Sequence, residues 1–314
     1  MHFAVPFAVE AENMEQIELL NNLNVPYGVA LDNEGNLFFT EYLDGTIKML
    51  PKEGGQPVLI LSNLTNPYDV AFDNDGNLFF SEKIGGKFSV LTKDGDVKLI
   101  LSGIGRIYGI AAAPDGNIFI TVFGDPIASG TGALLKTDLT GKSTYILSNL
   151  DYPVGVAVDS EGNVYFTEYG TAGKLNVLFT DGRVTTILAN LYAPSGVAVD
   201  ESGNIYFSEP SNGTIRMLNA DLSKVETIIT NLTAPWEITY YEGDLYAAAK
   251  TVNGTITQIH LKNGVSLEPT PSLEPTPVPA NYTQYYIVSI IVAVVVVGAI
   301  LAVYMARRKK PAVS

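Results

Sequence analysis

The chain has 314 residues, 46% hydrophobic and 17% charged, which is enough apolar content to bury a large core and too much for wholesale disorder. The formal net charge is −14, and setting aside the C-terminal cluster Arg307, Arg308, Lys309 and Lys310 leaves 15 basic against 33 acidic residues, so the body repels phosphate backbones and nucleic acid is excluded as a main partner. The absence of cysteine removes disulfides, thiolate metal sites and a cysteine nucleophile.

Residues 1–15 contain a short apolar run, Phe3 to Val9, with no Lys or Arg before it. It reads as the remnant of an export signal, or as a start that lies further upstream; a tail anchor with a cytoplasmic body is the alternative.

Residues 16–262 form an array. The phrase VPYGVALDNEGNLFFTE, beginning at Val25, returns from Asn66, Arg106, Tyr152, Ala193 and Ala234. Counted from Pro26, the spacings to Pro67, Ile107, Pro153, Pro194 and Pro235 are 41, 40, 46, 41 and 41 residues, the interval at which propeller blades repeat. In the first unit, residues 28–31, 37–41, 46–50 and 58–64 read as four strands, with a turn at 32–36. The class is therefore all-β, a six-bladed β-propeller. The last unit has a third strand at 255–261 and no fourth. LLNNL at residues 19–23 resembles the fourth strands that end at Leu64, Leu150, Leu191 and Leu232, so the N-terminal strand is predicted to close the ring and remove both sheet edges.

Residues 263–284 repeat SLEPTP from Ser266 and again from Ser272, a proline-rich composition expected to form an extended stalk of up to roughly 70 Å at about 3.1 Å per residue. Residues 285–306 are predicted to be a transmembrane helix. Twenty residues, 287–306, carry no charge, and twelve of those from Ile287 to Val303 are Ile, Val or Leu, for an insertion gain of roughly 4 to 7 kcal/mol. The basic tail, 307–314, then places the C-terminus in the cytoplasm and the propeller outside the cell membrane, with Tyr282, Tyr285 and Tyr286 at the outer interface.

Two phrases repeat in register from residue 16 to 261: a Pro-x-Gly-Val-Ala-x-Asp inner strand and a Gly-Asn-x-Tyr/Phe-Phe-Thr/Ser-Glu second strand. They resemble the NHL-repeat and virginiamycin B lyase-like propellers, relatives of the gluconolactonase and paraoxonase group. The resemblance implies a ligand face around the central channel, where inner strands start and second strands end. On it the residue after each blade's Pro gives the ring Tyr27, Tyr68, Tyr108, Val154, Ser195 and Trp236, whose four aromatics suit stacking or sugar binding. The end of the second strand gives Glu41, Glu82, Val122, Glu168, Glu209 and Ala248, with Asp69 and Glu237 replacing the Gly of other blades. The acidic set reads as a site for Ca²⁺, Mg²⁺ or a cationic ligand, with Glu41, Glu82, Glu168 and Glu209 as candidate metal ligands. A repeated Glu that serves local backbone bonding is the competing reading. The third unit is longer around residues 123–132, a loop placed to cover the channel mouth or a neutral insertion.

The chain departs from both enzymes it resembles. The histidine used in lyase catalysis has only His2 and His260 to stand for it, and His260 falls on an outer strand. The Asn and Asp that hold a cation in gluconolactonase-like enzymes are replaced by the aromatic-rich ring. Gly141-Lys142-Ser143 lacks the upstream Gly of a phosphate loop and reads as a turn. Sequons at Asn63, Asn212, Asn231, Asn253 and Asn281 fit an exported protein, although the turn itself favours Asn at the first and third. The leading expectation is a membrane-anchored extracellular module that binds a carbohydrate, peptide or protein ligand. The alternatives are a metal-dependent lyase or lactonase and a purely structural envelope protein.

Overall fold

Four of the six blades turn from the inner to the second strand on the same local chemistry. Asp32 accepts from the amides of Glu34 and Asn36, at 3.0 and 2.9 Å, while the Asn36 carbonyl oxygen reaches across to the Lys52 amide. The same bracket recurs at Asp73/Asn77, Asp159/Asn163 and Asp200/Asn204. The Asp-x-x-Gly-Asn phrase therefore repeats because it ties the first hairpin of a blade to its third strand. Gly35, with φ of 86°, occupies the left-handed position that this turn requires.

The computed structural model describes residues 14–124 and 130–261, and within them lie six four-stranded antiparallel sheets. Blade 1 runs Pro26–Leu31, Leu37–Glu41, Thr46–Leu50 and Val58–Leu61 from the inside outward. Its outer strand is shorter than predicted, because Asn63 turns out of extended backbone at φ of 59°. Blades 2 to 5 repeat the order with inner strands Pro67–Phe72, Ile107–Ala112, Pro153–Val158 and Val197–Val199. Blade 6 is built from Pro235–Tyr241, Asp244–Ala249 and Val252–His260, and the N-terminal strand Gln16–Asn24 adds its outer edge, with Gln16 opposite Ile259 and Leu23 opposite Gly254. The predicted closure is what forms, with a longer strand on both sides.

Apolar side chains on the inner three strands fill the spaces between neighbouring blades, with Phe39, Phe80, Ile47, Ile120, Phe166 and Phe207 buried almost completely. A hydroxyl at the penultimate position of the second strand fastens one blade to the next. Thr40, Thr121, Thr167 and Ser208 accept from their own inner strand at Gly28, Gly109, Gly155 and Gly196. The same hydroxyls donate to the carbonyls of Tyr68, Val154, Ser195 and Trp236 in the following blade, at 3.1, 2.6, 2.6 and 2.9 Å. Four of the six ring residues are thus held through their main-chain carbonyls.

Residues 1–13, 125–129 and 262–314 lie outside the described residues. Most of the export-signal segment, half of the third-unit loop at 123–132, the stalk at 263–284, the transmembrane helix at 285–306 and the basic tail at 307–314 fall there. Among the described residues, no helix is long and apolar enough to cross a membrane.

Candidate functional site at the channel mouth

The residue that follows the second strand sits directly above the ring. The amides of Tyr42, Lys83, Phe123, Tyr169 and Lys250 donate to the carbonyls of Val25, Asn66, Arg106, Tyr152 and Ala234, which precede the inner strands, at 3.1, 3.1, 2.9, 2.9 and 3.1 Å. Register in blade 6 pairs Pro235 with Ala249, as Pro26 pairs with Glu41, so the position assigned to Ala248 from sequence belongs to Ala249. The second strand of blade 6 therefore ends one residue later than the sequence count had it, and Lys250, not Ala249, stands over the channel.

The predicted aromatics do come together. Tyr27 lies 4.2 Å from Tyr68 and 5.9 Å from Trp236 between ring centroids, and Tyr68 lies 4.5 Å from Tyr108. Trp236 Nε1 donates to the Tyr68 hydroxyl at 2.6 Å, a bond between blades 6 and 2 that crosses the channel. Phe123 stacks on Tyr108 at 4.4 Å and Tyr169 packs against Trp236 at 5.6 Å, so the next tier continues the same cluster. Such ring pairs contribute about 0.5–1.5 kcal/mol each beyond their burial.

Two lysines sit over these rings. Lys83 Nζ is 4.4 Å from the Tyr108 centroid, 5.0 Å from Tyr68 and 6.0 Å from Tyr27. Lys250 Nζ is 3.2 Å from the Trp236 centroid and 5.2 Å from Tyr27. Burial pushes the Lys83 amine down to about 8, helped by the nearby Arg106 guanidinium. It pushes Lys250 down to about 7, helped by the charge on Lys83. The faces of the rings offset part of that loss of hydration.

The predicted acids divide into two groups. Glu41, Glu82, Glu168 and Glu209 do not converge. Each accepts from the amide of the loop leading into its blade, at Asn24, Thr65, Asp151 and Tyr192, at distances of 3.0, 2.5, 2.6 and 2.9 Å. Each also pairs with a base of its own third strand: Lys48, Lys87 at 3.3 Å, Lys174 at 3.1 Å and Arg216 at 3.7 Å. Among the described residues, no three acidic or histidine side chains are gathered closely enough to hold a metal ion. Local bonding therefore accounts for the repeated Glu.

Asp69 and Glu237 do meet, inside the channel and below the aromatic tier. Asp69 accepts from the amides of Val70 and Ile110 at 2.8 and 2.7 Å, and burial nevertheless pushes its carboxyl up to about 7. Burial raises Glu237 as well, and the charge of Asp69 adds to the effect. Their space depends on missing side chains opposite: a Cβ on Gly28 would lie 2.7 Å from Asp69 Oδ1, and one on Gly196 would lie 2.9 Å from the Glu237 Cα. The later halves of the inner strands line a cavity of ≈ 240 Å³ that the two acids share. His260, the histidine within the described residues, instead pairs with Asp244 at 2.8 Å between the third and second strands of blade 6, away from the channel.

A closed ring of six four-stranded blades, with chemically distinctive side chains gathered at the starts of the inner strands, defines a propeller of the virginiamycin B lyase and gluconolactonase type. The chain belongs to the Virginiamycin B lyase family, whose model matches residues 11–259. Comparison with curated proteins gives no match. Virginiamycin B lyase from Staphylococcus aureus is 16% identical, with a TM-score of 0.60 over 79% of this chain and 99% of that one. A catalytically inactive histidine-to-alanine variant of that enzyme, solved with quinupristin, is 18% identical, with a TM-score of 0.60 over 79% of this chain and 99% of that one. A gluconolactonase from Xanthomonas campestris is 15% identical, with a TM-score of 0.67 over 80% of this chain and 91% of that one. At these identities the likeness is one of fold.

Proposed function

We propose that the protein is a membrane-anchored, extracellular binding propeller that holds its ligand at the channel mouth, on Tyr27, Tyr68, Tyr108 and Trp236. The observation that carries this reading is that aromatic rings from four blades form one cluster at the end of the channel, with two lysines over it. Rigid rings on short side chains offer contact area at low entropic cost, which suits a carbohydrate or peptide ligand. The uncharged run at 287–306 and the basic tail support the anchor and the outward topology.

A second reading, a lyase or lactonase, is favoured by membership of the lyase family and by a lysine amine that titrates near neutrality, since such an amine acts as a base at physiological pH. Its chemistry would differ from that of relatives that depend on histidine or a bound cation, because Lys250 and Lys83 occupy the mouth here.

The test uses the full-length chain in neutral detergent micelles. It is screened against glycan and peptide arrays and, in parallel, incubated with quinupristin and gluconolactone while products are followed by chromatography. Binding that is lost in Tyr169→Ala with an unchanged melting temperature supports the binding module. Turnover that is lost in Lys250→Met supports the second reading, and a ligand retained by Tyr42→Ala and Tyr169→Ala together refutes the mouth as the site. Protease accessibility of the propeller in intact cells tests the topology.

A further inference from the structure

We propose that the channel mouth is an anion site, which takes a small ligand by its carboxylate between the Lys83 and Lys250 ammonium groups while a flat ligand face rests on the rings beneath. This rests on the reading of the mouth as the binding site and commits it to a ligand charge opposite to the one that the acidic repeat suggests.

The basic residues near the second strands fall into two kinds. Lys48, Lys87, Lys174 and Arg216 each meet the glutamate of their own blade. Lys83 and Lys250 meet none: among the described residues their ammonium groups face aromatic rings, and both face Tyr27. A third cation, Arg106, is exposed at the entrance to blade 3 and acts on Lys83 through its charge. In a chain of net charge −14, this is a local concentration of positive charge, and among the described residues no ion pair joins a carboxylate to either lysine. Ring faces compensate a desolvated ammonium by about 0.5–2 kcal/mol, less than a carboxylate does, so two such groups over one cluster leave a demand for an anion.

A separate observation points to a ligand at the ring beneath them. Ser195 is the ring residue of blade 5, next to Trp236 in the ring, and is fully buried. Its hydroxyl has no hydrogen-bond partner among the described residues. An unpaired buried hydroxyl costs about 1–3 kcal/mol, and Val154 and Ser195 are the two ring positions without an aromatic side chain. An unused donor therefore lies on the side of the ring where Lys250 stands over Trp236. The acidic body disfavours long polyanions, so the ligand is small. A carboxylate on an aromatic ring and a carboxylate on a sugar ring present the same chemistry, and the experiment separates them.

Calorimetric titration of the full-length chain, in polyoxyethylene detergent so that no sugar headgroup competes, uses sodium benzoate and D-galacturonate, with benzyl alcohol and D-galactose as neutral counterparts. The expected result is that one carboxylate binds and its neutral counterpart does not. Binding at about pH 8 should also take up protons, because an anion favours the charged form of both amines. The measured heat should therefore differ between HEPES and Tris. Lys83→Met and Lys250→Met should each weaken binding at least about tenfold while the fold is retained, since each removes a charge from an apolar setting. Binding of benzoate alone identifies an aromatic acid, and binding of galacturonate alone an acidic sugar. The proposal is overturned if neither carboxylate binds, if the neutral counterpart binds as well, or if binding takes up no protons. A neutral glycan whose binding is lost in Tyr169→Ala would overturn it too and leave the binding module standing.

Discussion

Replacing Lys250 by methionine should raise the stability of the propeller at neutral pH and leave it nearly unchanged near pH 10. The folded amine has a pKa of about 7, against the ordinary value of 10.5. As pH falls below about 10.5 the unfolded chain takes a proton that the folded protein does not take until about pH 7, so the penalty grows across that window and is constant below it. The gap corresponds to a ceiling of about 4.8 kcal/mol at about 1.36 kcal/mol per pH unit. Solvent reaches part of the side chain, and the ammonium returns some energy through its 3.2 Å approach to Trp236, so the expected gain is about 1–2 kcal/mol. For a domain of this size that is about 3–6 °C in melting temperature. Circular dichroism melts of the full-length chain and the variant, at about pH 7 and about pH 10, measure it directly. Lys48→Met serves as the control, because it strands the buried Glu41 carboxylate and should lower stability. Equal destabilisation of Lys250→Met at both pH values would refute the reasoning, since packing of the alkyl chain would then outweigh desolvation of the charge.

Two further predictions concern the channel interior. Because burial raises the carboxyl of Asp69 to about 7, its contribution to stability is fullest below about pH 4 and is lost as pH rises through 7, and the raised carboxyl of Glu237 acts in the same direction; Glu237→Gln should make that decline shallower and lower the pKa of Asp69, read from its carboxyl resonance by NMR. Trp236→Phe keeps the ring but leaves the buried Tyr68 hydroxyl without its donor, and should cost about 1–3 kcal/mol in denaturant melts, whereas Tyr169→Phe, a change at the rim, should cost much less.

The propeller was legible because its turns and inter-blade hydroxyls are made of residues close in sequence and repeated in most blades. Asp32, Gly35, Asn36 and Thr40 act locally or on the next blade, so each leaves its mark in at least four of the six units. The aromatic ring was legible for the same reason: it follows the blade's Pro. The lysines were not, since Lys83 and Lys250 occupy a tier filled elsewhere by Tyr42, Phe123, Tyr169 and Pro210, where no common residue draws attention, and the sequence count ended the second strand of blade 6 one residue early. The glutamates were misleading in the opposite way. Their partners stand on the third strand, in registers such as Glu82 opposite Lys87 and Glu168 opposite Lys174, which appear only once the strands are paired. A signal for this was present. Blades 3 and 6, which lack the Glu, also lack the base: Ala133 of blade 3 stands where Lys87 and Lys174 do, and Thr257 of blade 6 stands where Lys48 and Arg216 do.

The seam in blade 6 also sets a schedule for biogenesis. Gln16 finds Ile259 only after every intervening blade has been synthesised, so a newly made chain carries its first strand as an unpaired edge throughout elongation. Nine residues of strand, Gln16–Asn24, are available in that interval to any other exposed edge, including the open sixth blade of a second nascent chain. Ring closure is thus a competition between a distant partner on the same molecule and a nearby one on another. A chain shortened past Asn24 would settle that competition by leaving the sixth blade open permanently, and strand exchange between molecules would become its route to a complete sheet.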